Sequence, residues 1–337
     1  MSTRRERKNK KRKTQRKYLI LSVFLVIPLA FITVTTYSFI QYEEGKTASE
    51  NYIMHKGQSE YQEEKNSFAK TIMKKEPTNH EPMNVLLVGV DKSNNGIART
   101  DTIMIGQYNP SNGASKIASI MRDSYVEIPG HSKNKINAAF AFGGVDLLRQ
   151  TIEDNFGLNI HYYALIDFSG FIQLVDTIAP SGLQVTIQER MYDPKHSVDY
   201  QPGQYILNGE DTLNYVRFRK NSESDFGRVR RQQEIITILK NELFTFSGMT
   251  KIPKLIGMIE PLIETNIQKT KMLNLGRNFI LHPVKDIETM RIPVGGNFED
   301  AYYPHAGSVL QLDMSANIKA MEDFFSEESE ESMDEDK

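Results

Sequence analysis

Between Tyr18 and Ile40 the chain runs YLILSVFLVIPLAFITVTTYSFI without one charged residue. At a rise of about 1.5 Å per residue, such a run reaches across a hydrocarbon layer of roughly 30 Å as a tilted helix. A single transmembrane helix is therefore expected over residues 18–40. The 17 residues before it, MSTRRERKNKKRKTQRK, hold ten Lys or Arg and one Glu. A basic tail can also be a nucleic-acid footprint, but Lys and Arg directly before a span hold an N-terminus in the cytoplasm. The topological reading is preferred, and no nucleic-acid partner is expected. A cleaved signal peptide is disfavoured, because the run exceeds an ordinary signal core and no A-x-A-like site follows it. The expectation is a single-pass cell-membrane protein with residues 1–17 inside and everything from residue 41 outside.

Removing the tail from totals of 41 Lys plus Arg and 43 Asp plus Glu leaves the remainder near minus 11. Any basic cluster there is a local exception that a generally basic surface does not explain. The absence of cysteine fits an exported protein without disulfides. Residues 41–82 are polar, lack a sustained apolar period and end in KKEPTNHEP, which reads as a stalk or linker.

The character changes at NVLLVGVD, Asn84 to Asp91, a short apolar run of the kind that forms a strand buried on both faces. DTIMIGQYN and KIASIMRD read as strands joined by a turn at PSNGAS, and HYYALIDF as another. GGVDLLRQTIEDNFG spaces Val145, Leu148 and Ile152 as a helix does. FSGFIQLVDTI and residues 227–246 are further helices, the second with Ile235, Leu239 and Leu243 along one stripe. This alternation predicts an α/β layered domain over residues 83–325. SEESEESMDEDK, residues 326–337, holds seven acids and reads as a disordered, solvated tail rather than a metal site.

Ligands of open α/β sheets lie beyond the carboxyl ends of the strands. Here those ends carry Asp91, the pair Arg122 and Asp123, and Asp167, while Arg99 and Asp101 stand just before the second strand. One Asp at a strand end is ordinarily a turn or surface residue. Carboxylates beside several guanidiniums are a different matter, since together they suit Mg²⁺ and the phosphate oxygens it bridges.

VRFRKNSESDFGRVRRQQ, Val216 to Gln233, adds Arg217, Arg219, Lys220, Arg228, Arg230 and Arg231. Arg217 and Arg219 face one way on an extended segment but diverge on a helix, so if both touch one anion the helix begun near Asn208 must have ended or tightened by Phe218. Residues 221–224 then form a break, and Asp225 is expected to cap the next helix by accepting backbone N–H bonds. On that helix Arg228 and Gln232 share a face, Arg231 lies near it and Arg230 points elsewhere. Pairing of single arginines with the domain's acids is the ordinary alternative. As a group they suit a phosphate or pyrophosphate clamp, because Arg offers planar bidentate donors to such oxygens. The DFG at Asp225 to Gly227 resembles the kinase metal motif, but neither an H-R-D loop nor a glycine-rich nucleotide loop accompanies it.

In order, LLVGVD, ARTDTIM, SIMRDSYVEIPG, KINAAFAFGG, YYALIDFSGFIQLVD, LNGEDTLNYVRFRK and DFGRVRRQQ closely resemble the LytR-CpsA-Psr family of cell-wall ligases. The likeness extends over Asn84 to Leu243 and includes the basic tail, span and stalk. Met121 departs from it, since the family usually has proline there, and beyond about residue 246 the match is loose. The resemblance implies an α/β/α domain with an apolar pocket for a lipid chain. It implies transfer of a glycopolymer, such as wall teichoic acid or capsule, from a polyprenyl pyrophosphate carrier to a peptidoglycan sugar hydroxyl. By that likeness Asp91 and Asp101 hold Mg²⁺. Arg99, Arg122, Arg217, Arg219, Arg228 and Gln232 grip the pyrophosphate, with Lys135 in a matching segment, and Asp123 and Asp225 orient the arginines. Arg99, Asp101, Arg122, Arg217 and Arg219 form the implied catalytic group. Asp101, Asp123 and Asp225 all stay open as general base. A non-catalytic regulatory binder of lipid pyrophosphates and a hydrolase of them are the rival readings.

Overall fold

The computed structural model describes residues 35–51, 81–91, 99–196, 198–245, 250–281 and 286–326, with isolated positions beside them. The basic tail, most of the expected span and the acidic tail lie outside the described residues. Among the described residues no helix is long and apolar enough to cross a membrane.

In chain order come β1 (Met83–Asp91), β2 (Arg99–Tyr108), β3 (Ser115–Ile120), β4 (Ser124–Val126), β5 (Asn134–Lys135), α1 (Ile136–Phe156), β6 (Tyr162–Asp167) and α2 (Phe168–Ile178). Then follow β7 (Leu183–Ile187), β8 (Met191–Asp193), a 3-10 turn Pro194–His196, β9 (Val198–Tyr200), β10 (Gly203–Leu207), α3 (Gly209–Arg217) and α4 (Ser224–Leu243). The last part holds α5 (Ile252–Leu262), β11 (Ile263–Thr265), α6 (Lys269–Leu281), β12 (Ile287–Ile292), β13 (Phe298–Tyr303), β14 (Gly307–Leu312) and α7 (Met314–Phe325).

Six strands form the central sheet in the order β11-β6-β1-β2-β3-β12. β1 runs parallel to β6 and β3 parallel to β12, while the other neighbours are antiparallel. One face carries Leu86, Val88, Val90, Ile103, Ile105, Tyr163 and Leu165, which pack with Leu148, Ile152 and Phe156 of α1 and Met321 and Phe325 of α7. The opposite face looks towards α2, α3 and α4, so the layers are α/β/α. β1 is therefore not buried alike on both sides. From Val85 to Asp91 its odd-numbered positions are half-buried, and Leu87, Gly89 and Asp91 line a cavity rather than a packed core. An apolar run serves either environment, which is why its composition does not distinguish them.

Local chemistry sets the element ends that matter for the cavity. Asp167 accepts the Gly170 N–H at 2.8 Å and starts α2, and Asn208 accepts the Asp211 N–H at 2.8 Å and starts α3. α1 begins at Ile136, before the expected start, and passes through a kink where Gly144 takes φ 65° and ψ −158°, a conformation open to glycine. The N–H of Met121 donates to the Ile292 carbonyl at 2.8 Å, a bond that proline in its place does not make. Part of the segment read as span and stalk, residues 35–51, is helical. It packs on α5 with Ser49 Oγ donating to the Met258 carbonyl at 3.0 Å.

Gly209 shows how tightly α3 sits on α2. Its N–H donates to Asp176 Oδ1 at 2.7 Å, and a Cβ there would overlap the Ile172 carbonyl oxygen. Gly209→Ala is expected to lower the unfolding free energy by about 1–3 kcal/mol in urea denaturation, as overpacking does. Gly295→Ala, which would meet nothing within 4 Å, is the control expected to stay near wild type.

Candidate functional site: an arginine-lined cavity mouth

The cavity between the sheet and helices α2, α3 and α4 has a volume of about 530 Å³. Leu87, Met104 and Ile166 face Phe171, Leu174 and Leu239 across its interior. Its wall also carries Asp91, Asp101, Arg122, Arg217, Arg219, Arg228 and Gln232. These come from the carboxyl ends of β1, β3 and α3, the start of β2 and the first turns of α4, where the topology predicts a ligand crevice.

A β-bulge places Asp101. Gly89 opposes Thr102 and Val90 opposes Thr100, leaving Asp101 as the extra residue in β2. Consecutive residues of a regular strand face opposite ways, yet Asp101 and Thr102 both line the cavity. Thr102 Oγ1 accepts from Gln232 Nε2 at 2.9 Å, which fixes the α4 side of the wall to the sheet.

The cations are spaced by carboxylates. Asp101 is bonded to Arg122 Nη1 and lies 3.6 Å from Arg228 Nη1. Asp225 accepts from Arg228 Nη2 at 2.8 Å and stands 3.6 Å from Arg122 Nε and 3.8 Å from Arg219 Nη1. Asp123 pairs with Lys135 Nζ at 2.8 Å and Arg122 Nε at 3.4 Å. Asp91 lies 3.5 Å from Arg217 Nη2. Arg217 also stacks on Phe168, its guanidinium carbon 4.0 Å from the ring centroid. Asp123, Asp225 and Lys135 brace the arginines from behind and do not line the cavity. Arg99 pairs through its backbone with Asp91 at the strand end, and its side chain lies outside the described residues.

Burial alone would raise the Asp101 pKa, but Arg122 and Arg228 outweigh it and hold the carboxyl below its usual range. Burial draws the Arg228 pKa down, opposed by Asp225 and reinforced by Arg122. Arg228 is 3% exposed, and its buried Nε has no hydrogen-bond partner within the protein. A donor left over in a polar wall is what an anionic ligand oxygen would satisfy. For a metal, Asp91 and Asp101 stand at one end of neighbouring strands and on one cavity wall. No group of three or more His, Cys, Asp or Glu placed to hold a metal ion is present among the described residues. Two carboxylates fit Mg²⁺ that takes its remaining ligands from phosphate and water.

Several expectations hold in detail. α3 ends at Arg217, Phe218 is extended, and Arg217 and Arg219 both reach the cavity. Arg228 and Gln232 share the inward face of α4, and exposed Arg230 pairs with Glu223 Oε2 at 2.7 Å. Two differ. Asp225 does not cap α4, which starts without a side-chain cap, because its carboxylate is occupied by arginines. Arg231 lies away from the cavity wall, buried, and donates to the carbonyls of Phe218 and, at 3.2 Å, Tyr215, tying off the end of α3. Asp167, a strand-end acid, is a helix cap that also lines the cavity. Phe168, Thr102, Asp193, Lys195 and His196 also line it without having been singled out. Phe168 alone had a signal, the aromatic residue at the strand-to-helix junction.

An α/β/α sheet that opens at its strand ends into an apolar cavity with a guanidinium-rich wall has the shape and charge to suit an amphiphile with an anionic head. The chain belongs to the LytR-CpsA-Psr family, whose model matches residues 45–321. It is 39% identical over 246 residues to the regulatory protein MsrR of Staphylococcus aureus, covering 73% of this chain and 75% of MsrR. It is 30% identical over 244 residues to the polyisoprenyl-teichoic acid–peptidoglycan teichoic acid transferase TagU of Bacillus cereus, covering 71% of this chain and 79% of TagU. The structure of B. subtilis TagT bound to LIIa-WTA superposes with a TM-score of 0.59 at 25% identity, over 75% of this chain and 94% of TagT.

Two outcomes follow from the ion pairs. Arg231→Met should lower the unfolding free energy by about 1–3 kcal/mol by stranding two buried carbonyls, and Arg230→Met should stay within about 0.5 kcal/mol, both read by urea denaturation. A carboxylate with a lowered pKa adds stability above its unfolded pKa and loses it as pH falls through the folded value. Thermal melts of Asp101→Asn should therefore converge towards wild type as pH drops below about 4.

Proposed function

We propose that this chain is a phosphotransferase that moves a glycopolymer, of wall teichoic acid or capsule type, from a polyprenyl pyrophosphate carrier to a sugar hydroxyl of peptidoglycan. The observation that carries this reading is the union, in one cavity, of an apolar interior with a wall of Arg122, Arg217, Arg219 and Arg228 whose buried Nε donor is unspent. The likeness to TagU and to TagT supports it. The apolar interior takes the lipid chain, and the arginines take the pyrophosphate.

Phosphoryl transfer depends on positioning and charge neutralisation, so a guanidinium cage works without a protein nucleophile. Arg217, flat against Phe168, and Arg219, on the extended segment after it, hold the phosphates in line for displacement. Arg122 and Arg228, fixed by Asp101 and Asp225, neutralise charge that builds on the leaving phosphate. Asp91 and Asp101 would hold Mg²⁺, which supplies further neutralisation of the phosphate oxygens when bound. The uncharged run Tyr18–Ile40 would anchor the domain on the outer membrane surface, where lipid donor and peptidoglycan acceptor meet. The name of MsrR favours a second reading, a lipid-pyrophosphate sensor without turnover.

The test is purified full-length chain with a polyprenyl pyrophosphate-linked glycan, with and without peptidoglycan oligosaccharide. Acceptor-dependent release of polyprenyl phosphate is expected. Binding without release would establish the sensor, and release to water alone a hydrolase. Arg217→Ala and Arg219→Ala should each slow transfer by about one to two decades, the effect of about 1.5–3 kcal/mol in the transition state. Chelation should suppress wild-type transfer, and full activity in chelator would remove the metal.

A further inference from the structure

His196, in the 3-10 turn between β8 and β9, lines the same cavity as Asp91, Arg217 and Arg219, and its side chain is 40% exposed. Its Nδ1 lies 2.8 Å from Asp193 Oδ2. The other oxygen of Asp193 accepts from Lys220 Nζ at 2.7 Å and from the Lys195 N–H at 3.1 Å. Hydrogen bonds from Lys220 and His196 draw the Asp193 pKa down to about 2. An ionised carboxylate only accepts, so Nδ1 donates to it, and in the neutral imidazole Nε2 is then the nitrogen with the lone pair. Lys220 follows Arg219 directly, so its ion pair with Asp193 joins this hairpin to the arginine segment.

A transfer to a hydroxyl needs somewhere for the proton to go, and the carboxylates of the cage are poorly placed to take it. Asp101, Asp123 and Asp225 each face at least two cationic groups. Those ion pairs occupy the carboxylate oxygens, and at Asp101 burial is outweighed by Arg122 and Arg228, which hold the carboxyl below its usual range. Asp91 pairs with Arg217 and is assigned to the metal. An imidazole held by a carboxylate through one nitrogen is oriented to accept a proton on the other.

We infer that His196, positioned by Asp193, accepts the proton of the incoming sugar hydroxyl. The inference rests on the phosphotransferase reading. The hydroxyl oxygen bonds to the phosphorus that bears the glycopolymer, and the bond from that phosphorus to the bridging oxygen breaks. The bridging oxygen leaves as polyprenyl phosphate, and the proton passes to Nε2, then to water. Asp193 stabilises the imidazolium and is a positioning residue. Charged groups around His196 are Asp193 and Lys195 on its own hairpin and Lys220 after α3, with Asp91, Arg217 and Arg219 on the shared cavity wall.

The experiment measures acceptor-dependent transfer by the full-length chain from pH 5 to 9 for wild type, His196→Gln, Asp193→Asn and the double variant. Wild-type kcat should rise with pH across this range, as a base that must be unprotonated requires. His196→Gln should lower kcat by about 10²-fold or more, abolish that rise and leave donor KM within a few-fold. The double variant should be no slower than His196→Gln, because the pair acts as one unit. His196→Ala should regain activity with added imidazole, which a merely structural role would not permit. Wild-type kcat and an unchanged pH profile in His196→Gln would overturn this inference alone. Absence of acceptor-dependent transfer by wild type would overturn the phosphotransferase reading and this inference together.

Discussion

Mutual repulsion among guanidiniums is the constraint around which the cavity wall is built. Arg122, Arg219 and Arg228 converge from a turn, an extended segment and a helix, and Arg228 does so almost without solvent. Guanidiniums this close stay together only if something negative stands between them to offset their repulsion. Asp101 and Asp225 fill that position, and Asp123 with Lys135 extends the lattice outward. The backbone conforms to the same need. A bulge turns Asp101 inward, and a left-handed Ser224 at φ 49° opens α4 so that Asp225 and Arg228 arrive on its first turns.

The cavity and the core are two sides of one sheet. β1, β2 and β6 send alternate side chains into the packed layer with α1 and α7, and the rest into the cavity. Rigid packing on the first side lets the second be hollow without loss of shape. Gly209, pressed against α2, and Arg231, tied to the carbonyls at the end of α3, hold the far wall.

Much of this was legible in the residues. The strands, the helices over Val145 to Ile152 and Ile235 to Leu243, and the end of α3 before Arg219 follow from period and capping, which are local properties. The placement of Arg228 and Gln232 on one face of α4 followed from helical spacing. What escaped depends on distant contacts. No local signal tells that one face of NVLLVGVD meets a cavity, since an apolar wall and an apolar core select the same side chains. Asp225 has the composition of a cap, but arginines from other elements claim its oxygens. The bulge at Asp101 is visible only in the register between strands. Asp193 and His196 sit in a hairpin whose place beside the arginines is set by Lys220. Residues 252–325, where the likeness was loose, supply β12 at the edge of the six-stranded sheet, the β13–β14 pair of a four-stranded sheet with β4 and β5, and α7 of the core.

The hollow between sheet and helices also makes stability a gauge of occupancy. α2, α3 and α4 meet the sheet partly across space that a ligand's apolar chain would fill, so any molecule bound there acts as a removable piece of the interior. A ligand that binds the folded chain alone adds about 2.7 kcal/mol when present at 100 times its dissociation constant. Such a ligand would couple the lifetime of the folded protein to its own supply, and the emptied form would be the more readily unfolded.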